Sequence, residues 1–422
     1  MKPNYPVRKT PGDTEWFVKD RFGMFIHWGL YALPARHEWV KNHEKTPEDK
    51  YQKYFDHFNP DLFNPKEWAR YAKNAGMKYV VLTTKHHEGF CLFDSKVTDY
   101  KATNTPFGRD IVREFVDAFR AEGIRIGFYY SLIDWHHPDF PIDALHPRRE
   151  DENRVELNEG RDIKKYAQYM RDQVTELLTN YGKIDVLWFD FSYPHCAPLD
   201  GVPNSHGKGK NDWESETLIA LARRLQPGII IDNRADMEQD LWTPEQYQPT
   251  EWVRDSNGQM VVWEACQTFS GSWGYHRDEA SWKSPEMLIR MLVNTVSLGG
   301  NLLLNVGPTA RGYFDSRAVD ALRAIADWMH YNSRSIYDCT QAEFTAPTDI
   351  RYTQNDTCLY AHLFAYAFRT QCLPGLAGKV EYMQFLHDGS ELLWEEKDGD
   401  VYVNLPHVKP EVLVPVIEIF LK

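Results

Sequence analysis

No apolar run in this chain approaches the roughly 20 residues that a membrane-crossing helix needs, so a membrane partner is not expected. Its six cysteines, Cys91, Cys196, Cys266, Cys339, Cys358 and Cys372, form no CxxC pair and no zinc-like spacing, and they read as reduced thiols of a cytosolic protein. Basic clusters are missing as well. The 48 Lys and Arg face 61 Asp and Glu, a formal net charge of −13, so nucleic acid would be repelled rather than steered in. The glycines make neither GxGxxG nor a P-loop with its lysine, which removes the common nucleotide-binding patterns, and no cofactor is expected. The first residues, Met1-Lys2-Pro3-Asn4-Tyr5-Pro6, carry no apolar stretch ahead of a cleavage site, so a cytoplasmic location is the expectation.

Aromatic side chains are plentiful, with 14 Trp, 23 Tyr and 22 Phe. Flat rings with a polar handle suit sugar faces, but they also fill cores, and composition alone favours the core. A length of 422 residues fits a barrel of about 250 residues or more plus a smaller unit. Residues 20–338 alternate short apolar runs with amphipathic stretches, the pattern of repeated strand–helix units around a parallel sheet. Asn64, Pro65 and Glu67 signal a helix start and Gly76 its stop. A strand over 77–84 then ends at His86 and His87. Asp110 opens a helix that ends near Gly123, and a strand over 124–131 follows. Helical spacing recurs from Ile163 to Leu178, then a strand reaches Asp190; further strands are expected over 228–232, 260–266 and 301–306. Seven strands are countable. The stretch 234–259 is long, polar and without helical period, which predicts a missing helix and a functional loop. Beyond about residue 338 the pattern becomes short and β-rich, with strands expected over 359–364, 380–386, 391–394, 401–405 and 412–420. The expected organisation is a (β/α)8-like TIM barrel over 1–338 and a small antiparallel β-sandwich over 339–422, with sandwich edges that suit homo-oligomer formation.

Three apolar runs stop at reactive side chains: Phe22-Gly23-Met24-Phe25-Ile26-His27-Trp28-Gly29, Lys85-His86-His87-Glu88-Gly89-Phe90 and Asp185-Val186-Leu187-Trp188-Phe189-Asp190. A parallel barrel presents its strand ends at one mouth, so these groups converge on one ligand-sized site. Asp190 shares a strand face with Trp188, since side chains alternate with period two. A carboxylate beside an aromatic suits a nucleophile in glycoside cleavage; a helix cap or structural ion pair is the plainer alternative. Such cleavage needs a second carboxyl, and Glu238, Glu245, Glu251 and Glu264 are the candidates downstream. Glu245 lies in the long loop, where it could swing over a sugar, whereas Glu264 sits in an apolar strand; residue patterns leave the two unranked. A zinc site at His27, His86 and His87 is disfavoured, because adjacent strand residues face opposite sides and no HxH or HxxxH spacing is present. Hydrogen bonding to hydroxyls is the better use for them. The glycines of the segment 298–308 read as a tight turn before a late strand.

Taken together these segments, with Glu38-Trp39, Tyr129-Tyr130-Ser131, Thr243-Pro244-Glu245, Trp263-Glu264, Ser272-Trp273-Gly274-Tyr275 and Gly299 to Pro308, resemble the family 29 glycoside hydrolases, the retaining α-L-fucosidases. The resemblance spans most of the barrel. It implies exo-acting release of terminal L-fucose from fucosylated oligosaccharides or glycoconjugates, with Asp190 as nucleophile and Glu245 as acid/base. Glu264 stays as the alternate acid/base, because that position varies more within the family. His27, Glu38, Trp39, His86, His87, Tyr129, Trp188 and Arg234 match positions lining the fucose pocket, and Trp273 one that packs near the sugar methyl. The acid, Glu245 or Glu264, is then expected to hold its proton near neutral pH. Relaxed and α-1,3/1,4-restricted enzymes both exist in the family, and loops outside the pocket decide between them. A fucose-binding protein without turnover and a retaining glycosidase for α-L-galactose are the competing readings.

Overall fold

The computed structural model describes residues 3–422; Met1 and Lys2, where the reading of the N-terminus begins, lie outside the described residues. Eight parallel strands form the first part: β1 Phe22–Ile26, β2 Tyr79–Lys85, β3 Arg125–Ser131, β4 Val186–Asp190, β5 Ile230–Ile231, β6 Leu241–Trp242, β7 Val262–Thr268 and β8 Asn301–Val306. They pair in the order β5-β4-β3-β2-β1-β8-β7-β6. The open ends of that row meet through one parallel bridge, Asp232 with Leu241, which brings the sheet round into a barrel.

Period two decides what lies inside. Phe25, Tyr79, Val81, Tyr129, Trp188, Cys266 and Leu303 form an apolar cluster within the barrel, whereas Met24, Ile26, Val80, Leu82, Phe128, Leu187, Leu302 and Leu304 belong to the outer core, among the helices. The helices start where the sequence signals them. Asn64 accepts from the Glu67 N–H at 3.4 Å ahead of Pro65–Asn74, and Asp110 accepts from the Arg113 N–H at 2.9 Å ahead of Ile111–Ala121. Among the described residues no helix follows β5 or β6, so the expected gap in the outer ring is present. The eighth strand, β6, escaped the sequence reading because two residues carry no periodicity.

The remaining strands are β9 Thr340–Gln341, β10 Ile350–Gln354, β11 Cys358–Leu363, β12 Thr370–Leu373, β13 Val380–Phe385, β14 Trp394–Lys397, β15 Asp400–Asn404 and β16 Val416–Leu421. They form two antiparallel sheets, β13-β16-β11-β10-β9 and β12-β15-β14, which share a core including Leu359, Leu373, Met383, Val401 and Ile417. Two sequence expectations need correction here. The strand placed over 391–394 begins only at Trp394, because β14 is an exposed edge with Glu395, Glu396 and Lys397 and shows no apolar alternation. Strands β9, β10 and β12 were not anticipated at all. All six cysteines are free, and among the described residues no helix is long and apolar enough to cross a membrane.

One buried ion pair underlies the loop after β3. The Lys85 ammonium, fully buried, donates to Asp134 Oδ2 at 3.1 Å and Tyr166 Oη at 3.0 Å, and lies 4.4 Å from the Tyr130 ring centre. Asp134 Oδ1 in turn accepts the backbone N–H groups of His136 and His137. Removing the cation would leave a buried carboxylate uncompensated. Lys85→Met is therefore expected to lower stability by about 3–5 kcal/mol, read as a fall in the urea midpoint; an unchanged midpoint would show the pair to be energetically idle.

Candidate active site

Each barrel strand from β1 to β7 delivers a side chain to the same mouth. His27 follows β1, His86 and His87 follow β2, Tyr129 lies in β3, Asp190 ends β4, and Arg234, Glu245 and Trp273 come from the segments after β5, β6 and β7. With Glu38, Trp39 and Trp188 they line one pocket, to which Phe25 and Phe191 also contribute. Neither phenylalanine was singled out from sequence. Phe25 had a usable signal, since it lies two residues before His27 on one strand face. Phe191 had none; it follows Asp190 with φ of 80°, a left-handed conformation that side chains other than glycine seldom adopt.

Arg234 organises the charges. Its Nη1 lies 2.9 Å from Asp190 Oδ1 and 2.7 Å from Glu245 Oε2, Nε donates to Thr243 Oγ1 at 2.8 Å, and the guanidinium lies 4.4 Å over the Trp188 ring. Asp190 Oδ2 accepts from Tyr129 Oη at 2.7 Å, and His87 Nε2 lies 4.0 Å from the same oxygen. Burial raises the Asp190 pKa; Arg234 pulls it back, Glu245 adds to the rise, and the hydrogen bonds from Tyr129 and Arg234 oppose it. The net position is above an ordinary aspartate.

The histidines are pushed the other way. Burial lowers His27 to about 3, with the Asn305 hydrogen bond opposing, and holds His86 and His87 well below their usual value, so all three are neutral at physiological pH. Glu38 Oε2 accepts the N–H groups of Trp273 and Gly274 at 3.2 and 2.8 Å, yet burial outweighs these bonds and raises its pKa to about 7. Glu38 Oε1 and His86 Nδ1 are buried without a hydrogen-bond partner among the described residues. Unsatisfied polar atoms in a pocket are where ligand hydroxyls gain most.

Comparison with known proteins now bears on this arrangement. The family model described as Alpha-L-fucosidase matches residues 4–334. The chain belongs to the alpha-L-fucosidase family. Among curated relatives of this glycoside hydrolase, human plasma alpha-L-fucosidase is 29% identical over 444 residues, covering 93% of this chain and 86% of that protein. Among solved structures, alpha-L-fucosidase isoenzyme 1 from Paenibacillus thiaminolyticus is 45% identical with a TM-score of 0.90, covering 97% of this chain and 99% of that one. The GH29 alpha-L-fucosidase from Bacteroides thetaiotaomicron, solved as a trapped covalent intermediate with 2-fluoro-fucosyl fluoride, is 30% identical with a TM-score of 0.83, covering 100% of this chain and 98% of that one.

Within this fucosidase-family barrel two readings of the sequence change. His86 and His87 do not face opposite sides: their ring centres are 4.0 Å apart and both line the pocket, because they lie beyond the end of β2, after a shift in its register. Among the described residues no cluster of His, Cys, Asp or Glu could hold a metal ion. Glu245 is not on a free loop, since Pro244 O and the Gln246 N–H bond the backbone of Cys266 at 3.0 and 3.1 Å and fix this segment to β7. Glu264 lies outside the pocket lining, fully buried beneath it, accepting from Trp188 Nε1 at 3.3 Å and from Tyr79 Oη. Of the other carboxyls, Glu238 pairs with Arg8 at 3.0 Å and Glu251 is exposed.

Burial raises Glu264 to about 7, and hydrogen bonds from Tyr79 and Trp188 only partly oppose it. An unfolded glutamate releases its proton near pH 4.3. Between these values the folded state binds more protons, so this group's stabilisation is complete below the unfolded pKa and is lost as pH rises towards about 7. Glu38 and Glu88, also raised to about 7 by burial, act with the same sign. Glu264→Gln should therefore give a shallower decline of unfolding free energy from about pH 5 to 7 than the wild type shows in urea titrations; identical slopes would refute the assignment.

Proposed function

We propose that this chain releases terminal L-fucose from fucosylated glycans with net retention of configuration, Asp190 acting as nucleophile and Glu245 as acid and then base. One observation carries the reading. Asp190 and Glu245 both touch the same nitrogen of Arg234, at 2.9 and 2.7 Å, so their nearest oxygens cannot be farther apart than those two distances laid end to end. That limit fits the roughly 5–5.5 Å of retaining enzymes and is too short for the roughly 6.5–9.5 Å that leaves room for a water in inverting ones. Glu264, fully buried outside the pocket lining and bonded to the indole edge of Trp188, has no route to a departing oxygen, which favours Glu245 over it as acid.

In the reaction so read, Glu245 protonates the glycosidic oxygen while Asp190 attacks the anomeric carbon, giving a fucosyl–Asp190 ester. Glu245 then takes a proton from water, which cleaves the ester and restores both groups. Neutral histidines and Glu38 meet sugar hydroxyls, and the rings of Phe25 and Trp273, whose centres are 6.0 Å apart, offer an apolar wall to a methyl group. We assign this chemistry to residues 1–338 and a supporting role to 339–422.

Hydrolysis of 4-nitrophenyl α-L-fucoside tests the roles. Asp190→Gly is expected to lose at least about 10³-fold in kcat, with azide restoring aryl release as a fucosyl azide of inverted configuration. Glu245→Ala should accumulate the intermediate on this activated substrate and yield, with azide, the product of retained configuration. A wild type inert on both aryl fucoside and fucosylated oligosaccharides would end the proposal; an Asp190→Gly enzyme of undiminished activity would end the assignment of the nucleophile.

A further inference from the structure

The glycine-bracketed segment around β8 takes no part in the chemistry above, yet its Asn305 is buried between His27 and the Trp273 loop. One side-chain atom of Asn305 lies 2.7 Å from the Trp273 carbonyl oxygen. A carbonyl only accepts, so that atom is the amide nitrogen and the other is the oxygen. The oxygen lies 2.6 Å from His27 Nδ1. An amide oxygen also only accepts, so His27 Nδ1 carries the hydrogen. Because burial keeps His27 neutral, its Nε2 bears only a lone pair, and no described residue bonds that nitrogen in the pocket His27 lines.

We propose that Asn305 is a positioning residue that locks His27 in the Nδ1–H tautomer, so that the pocket presents Nε2 as an acceptor to a hydroxyl of the bound sugar. The inference rests on the fucosidase reading only for the identity of that sugar. A parallel arrangement supports it: Ser131 Oγ donates to the Ile133 carbonyl at 2.8 Å and lies 2.6 Å from His87 Nδ1, which leaves His87 Nε2 bare as well. The same amide reaches a third pocket group. By holding the Trp273 carbonyl, Asn305 fixes the loop whose Trp273 and Gly274 N–H groups donate to Glu38. Gly307 permits this approach, since a Cβ there would meet Tyr275 N at 2.6 Å and the Trp273 carbonyl oxygen at 2.8 Å. Gly307 is thus required by backbone packing against the Trp273 loop.

Long-range 1H–15N correlation on sugar-free protein carrying 15N-histidine, with His27→Gln to assign the resonance, reads the tautomer directly. The expected wild-type result is a protonated Nδ1 and a bare Nε2 at His27. Asn305→Ala should mix the two tautomers and lower kcat/KM by about 10–100-fold. Asn305→Asp, examined at alkaline pH, should retain Nδ1–H because its carboxylate still accepts there. A wild-type His27 protonated at Nε2 overturns the proposal, as does an Asn305→Ala protein whose tautomer and kcat/KM are unchanged. If Asn305→Ala fails to fold, the wild-type and Asn305→Asp spectra decide alone. The spectra need no turnover, so a protein inert on fucosides but with bare Nε2 at His27 would sink the proposed reaction and leave this inference standing.

Discussion

One cation, Arg234, holds the buried Asp190 and the more exposed Glu245 together at the pocket. Its position is over-determined by two contacts to Thr243, the face of Trp188, and Asp190 and Glu245 on one nitrogen. Barrel closure depends on the same neighbourhood. The bridge that joins β5 to β6 runs from Asp232 to Leu241, and Asp232 Oδ1 accepts the N–H groups of Phe189 and Arg234. Where other strand pairs are backed by helices, this pair is two residues long on each side and is held by polar contacts. Asp240, for instance, accepts from the N–H groups of Ile231 and Gly12 and pairs with Arg223. The missing helices and the charged site are therefore one feature of the fold.

Around Arg234 the environment sorts the ionisable groups into different states. Burial is the largest influence on Asp190, Glu38 and Glu264, and of these Asp190 alone opposes it with a guanidinium and a tyrosine hydroxyl on its two oxygens. Glu38 and Glu264 receive only neutral donors, and burial raises both to about 7; Asp190 is raised as well, against the opposition of Arg234. The histidines receive no carboxylate at hydrogen-bonding distance and stay neutral. A protonated His87, 4.0 Å from Asp190 Oδ2, would compete for the charge that the proposed nucleophile needs. Desolvating the imidazoles removes that competitor while keeping their lone pairs available.

Strand-end residues were legible because period two and the shared mouth of a parallel barrel act on a short, local pattern. His27, Asp190 and Trp188 follow from it directly. His86 and His87 show its limit, for the rule lapses once the strand ends and the chain turns. Glu245 and Glu264 could not be ranked from sequence, since what separates them is depth. Glu245 is in register with Cys266, one inward-facing layer above Glu264 on β7. Register between β6 and β7 is a non-local quantity that a two-residue strand does not announce. The fold class was readable from alternation, whereas edge strand β14 and the short strands β9 and β12 were not, because exposed or brief strands lack an apolar rhythm.

Depth also explains why so polar a residue as Glu264 lies in the barrel interior. Trp188 presents its face to Arg234, and its buried indole N–H, which points outward in the plane of the ring, needs an acceptor at the ring edge. Glu264 is that acceptor, and Tyr79 and Asn301 complete the hydrogen bonding below it. An apolar residue there would orphan the indole N–H and free the ring to tilt, and the guanidinium packed on that ring would lose its plane of support. The aromatic ring is thus held from two directions, by the cation on its face and by the carboxyl at its edge.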